Sequence, residues 1–111
     1  DIMLDVQLKR GLLEVCVLRC IADGDSYGYQ IVRQLERCVT ISESTLYPIL
    51  KRLETAGALE TYSVEHNSRL RRFYHITDAG RRRIAEFLEA WPEIMTIYEF
   101  INREVSNHDE T

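Results

Sequence analysis

Hydroxyl and cationic side chains gather on one side of the stretch SESTLYPILKRLETAG, Ser42 to Gly57. Leu46, Ile49, Leu50 and Leu53 fall at i, i+3, i+4 and i+7, which puts four apolar side chains on one helical face. The opposite face carries Ser44, Pro48, Lys51 and Thr55, with Tyr47 on one flank and Thr45 and Arg52 on the other. No acidic residue stands at its centre, because Glu54 lies beside the apolar stripe. Hydroxyls reach bases or phosphates and cations reach phosphates, so this face suits a major groove. Taken alone the segment is an ordinary amphipathic surface helix; the residues on either side of it point further. No nucleophile, base and metal set converges anywhere in the chain, which argues against an enzyme.

The elements around this helix are those that would present it. Residues 58–65 read as a mostly alternating strand, His66-Asn67-Ser68 as a turn, and Arg69 to Ile76 as a second strand. Arg69, Arg71 and Arg72 then stand beside the hairpin tip, where cations meet a DNA backbone or an adjacent minor groove. Ahead of the central helix, Ser26 is placed as N-cap of a helix from Tyr27 to Cys38. In it Ile31, Val32 and Leu35 face inward, while Arg33 and Arg37 can face out. Gly28 is costly in a helix unless something approaches its backbone closely. Tyr27 and Tyr29 flank it near the positive end of the helix dipole, positioned for a phosphate or for half-buried packing. Pro48 has no amide hydrogen, so either Ser44 rather than Ser42 is the working cap or the first turn is irregular. Helix, short link and helix followed by a hairpin is the winged helix-turn-helix plan.

The 111 residues, 45% hydrophobic, make one domain with an appendage. The absence of any membrane-length apolar run or leader pattern predicts a soluble, cytoplasmic chain. Net charge is −4, but residues 51–83 hold eight Lys/Arg against four Asp/Glu, and residues 84–111 hold one against seven. A basic middle and an acidic tail suit a chain with one part turned to DNA and one held away from it. Cys16 and Cys20 share a face of the first helix, which permits a metal or redox pair; the plainer reading is small buried hydrophobes in a reducing compartment. His66, His75 and His108 are not at ligand spacing from them, so no metal or other cofactor is expected.

The first helix, Val6 to Ala22, has a stripe of Leu8, Leu12, Val15, Leu18 and Ile21, widened nearly around the cylinder by Leu13, Cys16, Val17 and Cys20. Such a helix must be covered on two sides. Thr77 caps a last helix in which Ile84, Leu88, Trp91, Met95, Tyr98, Asn102 and Val105 keep heptad spacing, with Phe87, Ile94 and Ile101 beside them. This is more apolar surface than one small body buries, so a homodimer is expected. Pro92 should kink or split the helix near residues 88–91. The domains expected are 5–76, a winged helix-turn-helix; 77–105, a dimerisation helix; and 106–111, a flexible tail. The fold class is mainly α with a small β-hairpin.

Four stretches, KRGLLEVCVL (9–18), SYGYQI (26–31), STLYPILKRLETAG (44–57) and RRFYHITDAG (71–80), resemble the PadR family of transcriptional regulators, the short type with a single C-terminal dimerisation helix. They cover most of residues 8–80 in family order; beyond Gly80 the likeness rests on helix length and Trp91. The resemblance implies a homodimer on a palindromic double-stranded operator, with the last helix of one subunit packed on the first helix of the other. By position, Tyr27 and Tyr29 would meet phosphates, Ser44, Thr45, Tyr47 and Lys51 the major groove, and Arg69, Arg71 and Arg72 the wing. It further implies a repressor released by an aromatic or hydrophobic effector, with Leu12, Phe87, Leu88, Trp91, Met95 and Tyr98 at the dimer seam or effector site. Pro92 departs from the family pattern beside the tryptophan. The rival reading is a winged-helix module for protein contacts without specific DNA binding, and a ligand-binding module without DNA binding is the weaker third.

Overall fold

A computed structural model describes the backbone of residues 6–110 and the side chains of residues 7–103. The elements are α1 (Val6–Ala22), β1 (Ser26–Tyr27), α2 (Gly28–Leu35), α3 (Glu43–Thr55), β2 (Leu59–His66), β3 (Arg69–Ile76) and α4 (Asp78–Glu110). The hairpin and a long last helix are present as the sequence predicts. The helix, however, runs on to Glu110, beyond the expected end at 105 and into the expected tail at 106–111, whose side chains lie outside those described. The sheet has a third strand that the sequence reading lacks. Ser26 pairs with Tyr74 and Tyr27 with Phe73, giving the antiparallel order β1-β3-β2. Ser26 is therefore not the N-cap of α2. It is buried in the short strand and its hydroxyl donates to Gln30 Oε1 at 2.8 Å, while Tyr27 occupies the cap position without a capping side chain.

The core is assembled from single faces of the helices. Leu46, Ile49, Leu50 and Leu53 of α3 are all buried, as their spacing demands, and meet Ile31 and Leu35 of α2 and Leu59, Tyr74 and Ile76 of the sheet. On α1 the buried residues are Leu13, Val17, Leu18 and Ile21, so the inward face is rotated from the expected stripe, and Leu8 is left 54% exposed. Ser42, not Ser44, caps α3: its hydroxyl accepts from the Thr45 amide at 3.2 Å. The helix runs on through Pro48, which leaves the carbonyl of the exposed Ser44 without its intrahelical donor, a group that solvent can satisfy.

Gly57, at φ +77°, ends α3 in the left-handed region that glycine enters without strain. The next turn of chain is latched by Thr77, whose hydroxyl donates to the Gly57 carbonyl at 2.6 Å and accepts from the Gly80 amide at 3.1 Å. α4 therefore starts against the end of α3, so close that a Cβ on Gly80 would stand 2.2 Å from the Ala58 carbonyl oxygen. Beyond Ile84 the helix leaves the core; Leu88, Ile97, Tyr98, Phe100 and Ile101 are each more than half exposed. Pro92 does not split it, since helix continues from Asp78 to Glu110.

One carboxylate ties three helices together. Glu14 on α1 receives Arg83 of α4 at 2.6 Å and Arg52 of α3 at 3.1 Å, with only 12% of its side chain exposed. Burial alone pushes its carboxyl up, but the bonds from Arg83 and then Arg52 outweigh it and hold the group below its ordinary value of 4.5. A depressed carboxylate contributes stability above its ordinary value and loses it as pH falls through the folded one. Glu14→Gln should therefore cost about 1–3 kcal/mol in urea unfolding at neutral pH, with the deficit shrinking toward about pH 3. Equal deficits at both pH values would show that the charge does not matter.

Candidate nucleic-acid interface

The outer face of α3 is built as its spacing implies. With four leucine and isoleucine side chains committed to the core, Ser44, Thr45, Tyr47, Pro48 and Lys51 are left exposed. The Ser42 hydroxyl lies 2.9 Å from that of Ser44 and 3.2 Å from that of Thr45, so three hydroxyls crowd the positive end of the helix. Arg52 does not belong to this face. It is turned back onto Glu14 and holds α3 to α1, a correction to its expected place among the contact residues.

Tyr47 stands at the junction with α2. Its hydroxyl donates to Glu43 Oε1 at 3.0 Å, and burial followed by that carboxylate pushes its pKa up, keeping it a neutral donor. The ring lies against Gly28: a Cβ there would come within 2.7 Å of the Tyr47 oxygen. This is the close approach that a glycine at the head of a helix implies. Glu43 places an acid in the first turn of α3, beside the hydroxyl cluster, which the sequence reading left out of the contact face. Tyr29, 53% exposed, accepts from Arg33 Nη1 at 3.2 Å.

The wing arginines do not form one cluster. Alternation along β3 sends Arg69 and Arg71 to one side and Arg72 to the other. The Arg71 guanidinium sits 4.3 Å over the centre of the Tyr27 ring, and Tyr27 meets Phe73 edge-on at 5.4 Å. Tyr27 is thus a half-buried pedestal for Arg71 in the sheet. Arg72 reaches back to Glu54 at 3.5 Å and Thr61 at 3.3 Å, bridging wing to α3. Arg69 pairs with His66 at the tip, where Asn67 and Ser68 take positive φ (51° and 65°) to make the tight turn. Leu70 beside it is 76% exposed, an apolar side chain at the wing that sequence reasoning did not single out. At the base of the wing, Asp25 accepts from Tyr62 at 2.5 Å and lies 2.8 Å from His75 Nδ1; these two bonds hold its carboxyl below the usual range.

Together Tyr27, Tyr29, Tyr47, Arg71 and Arg72 surround a groove of about 630 Å³ between α2, α3 and the wing. Among the described residues no group of His, Cys, Asp and Glu is placed to hold a metal ion, and no helix is long and apolar enough to cross a membrane. The candidate seam residues sit elsewhere: Leu12 is half-buried on α1, Phe87 is half-buried on α4, and Leu88, Trp91, Met95 and Tyr98 are exposed along α4.

A helix packed behind an exposed α3 and followed by a two-stranded wing defines a winged helix-turn-helix protein. Residues 17–86 match the transcriptional regulator PadR-like family, and the chain belongs to it. It is 33% identical over 89 residues to transcriptional regulator Rv3488 of Mycobacterium tuberculosis, spanning 79% of this chain and 83% of that one. The crystal structure of smu.1704 from Streptococcus mutans is 41% identical, with a TM-score of 0.71 over 84% of this chain and 89% of its own. Bacillus subtilis PadR, in complex with operator DNA, shares the fold at 22% identity, with a TM-score of 0.65 over 69% of this chain and 46% of its own.

The contact between Gly28 and Tyr47 yields a sign test. Gly28→Ala should destabilise by about 1–3 kcal/mol through the enforced shift of the ring. In a Tyr47→Ala background the same change should be neutral or stabilising by up to about 1 kcal/mol, since alanine is the better helix residue. Chemical unfolding of the four proteins measures the cycle; additive costs would mean that the ring yields freely.

Proposed function

We propose that this chain is a sequence-specific, DNA-binding transcriptional repressor that acts as a homodimer. The observation that carries this reading is the division of α3: a fully buried apolar face, and an exposed face of hydroxyls and Lys51 beside the groove that Tyr29 and Arg71 share. Ser44, Thr45, Tyr47 and Lys51 face the major groove in this reading, Tyr29 and Arg71 take phosphates, and Arg69 and Leu70 follow the backbone or minor groove at the wing. Tyr27 supports Arg71, and Arg72 positions the wing against α3. The dimer is supported by the apolar side chains that α4 exposes beyond Leu88, an area that one chain leaves uncovered. Two copies related by a two-fold axis suit a palindrome with half-sites about one turn, roughly 34 Å, apart. A cytoplasmic, non-enzymatic role accords with the same reading.

An effector belongs to the α4 seam. Phe87 and Trp91 lie with ring centroids 5.8 Å apart, and Trp91 is 42% exposed, so a flat aromatic compound can stack on the indole. A tenfold effect on DNA affinity needs about 1.4 kcal/mol of differential binding between the two shapes of the dimer.

Two measurements test these assignments. Light scattering at micromolar concentration should give twice 13.0 kDa, and a folded monomer would remove the palindrome with the dimer. For DNA, the slope of log affinity against log salt should become shallower by about 1.8 in Arg71→Ala, two phosphate contacts fewer per dimer. Arg52→Ala should leave that slope unchanged and instead lower stability, because its partner is Glu14. A steep loss of slope in Arg52→Ala, with none in Arg71→Ala, would overturn the division of roles.

A further inference from the structure

DNA reading leaves the three cysteines unused. Cys16 and Cys20 lie one turn apart on α1, and the fold brings Cys38, just beyond α2, against them. All three line one open cavity of about 520 Å³ between α1 and the end of α2, with Arg19 and Arg37 beside them. Cys16 and Cys38 come together at this cavity from different elements, one on α1 and the other beyond the end of α2. No group of three or more His, Cys, Asp and Glu among the described residues is placed to hold a metal ion. The members differ in access: Cys38 is exposed, while Cys16 and Cys20 are partly buried.

We propose that Cys16 and Cys38 form a peroxide-responsive pair that closes to a reversible disulfide between α1 and the end of α2. The exposed Cys38 thiolate attacks a peroxide oxygen; the S–O bond forms, the O–O bond breaks, and the departing hydroxide takes a proton to leave as water. Cys16 then loses its proton and attacks the Cys38 sulfur; the S–S bond forms, the S–O bond breaks, and the second hydroxide takes that proton. In total the pair gives up two hydrogens and the peroxide is reduced to two waters. The order has a physical cause. Cys38 is exposed and meets the peroxide first, while burial, and then the neighbouring Cys38, raise the Cys16 pKa and hold it in reserve as a thiol. Cys20, pushed up to about 11 chiefly by burial, stays a thiol. The link is independent of the DNA reading, since it depends only on the packing of α2 on α1.

The test uses the whole chain, treated with hydrogen peroxide, alkylated and mapped by peptide mass. The expected result is a loss of about 2 Da, a peptide joining Cys16 to Cys38, alkylated Cys20, and full reversal by dithiothreitol. Cys20→Ser should keep the link and Cys38→Ser should abolish it. Cys16→Ser should instead accumulate a sulfenic acid on Cys38 that dimedone captures. Oxidation of Cys38 to sulfinic acid while Cys16 remains alkylatable would overturn the pair, as would a link that disappears in Cys20→Ser. A Cys38 bridge between two chains would overturn it equally.

Discussion

The Glu14 carboxylate is the point on which the arrangement of helices depends. It is nearly out of solvent and would be costly there alone, yet two guanidiniums from different helices meet its two oxygens. Arg52 brings in the helix with the exposed hydroxyl and lysine face, and Arg83 the helix that leaves the core. Because both bonds end on one side chain, the orientations of α3 and α4 are set by α1 together. The hydrophobic core holds these helices close, but oil-like contacts alone allow sliding; directed charge-assisted bonds select one register.

Local devices then turn this frame into a surface. Thr77 joins the glycine that ends α3 to the first turn of α4, Gly80 lets the two backbones touch, and Arg72 bridges the wing to Glu54. Asp25 does the same on the far side of the sheet, where Tyr62 and His75 converge on it from two strands. The wing is accordingly fastened at its root on both faces, while its tip is left to a two-residue turn.

The parts legible in the sequence were those with a local period. The i, i+3, i+4, i+7 pattern of α3 and the alternation around His66–Ser68 marked both elements, and Gly28 announced that some group must press on its backbone. What could not be read required a partner distant in sequence. Arg52 looks like an outward cation until Glu14, 38 residues earlier, claims it. Ser26 looks like a cap because a strand of two residues has no period; only its pairing with Tyr74 makes it one. The three arginines read as one cluster along the chain, whereas the pleat of β3 divides them between faces. Cys38 meets Cys16 only because α2 folds back over α1.

The continuity of α4 through Pro92 makes that helix a lever. Its 33 residues span roughly 50 Å at about 1.5 Å per residue. The root is clamped at Thr77, Gly80 and Arg83, so the fulcrum lies inside the winged domain and the long arm outside it. Turning the arm by about 5° moves its far end by roughly 4 Å over that length. The gearing runs in both directions: a displacement imposed at the far end arrives at the root reduced in distance but multiplied in force, against the Glu14 junction that also sets the pose of α3.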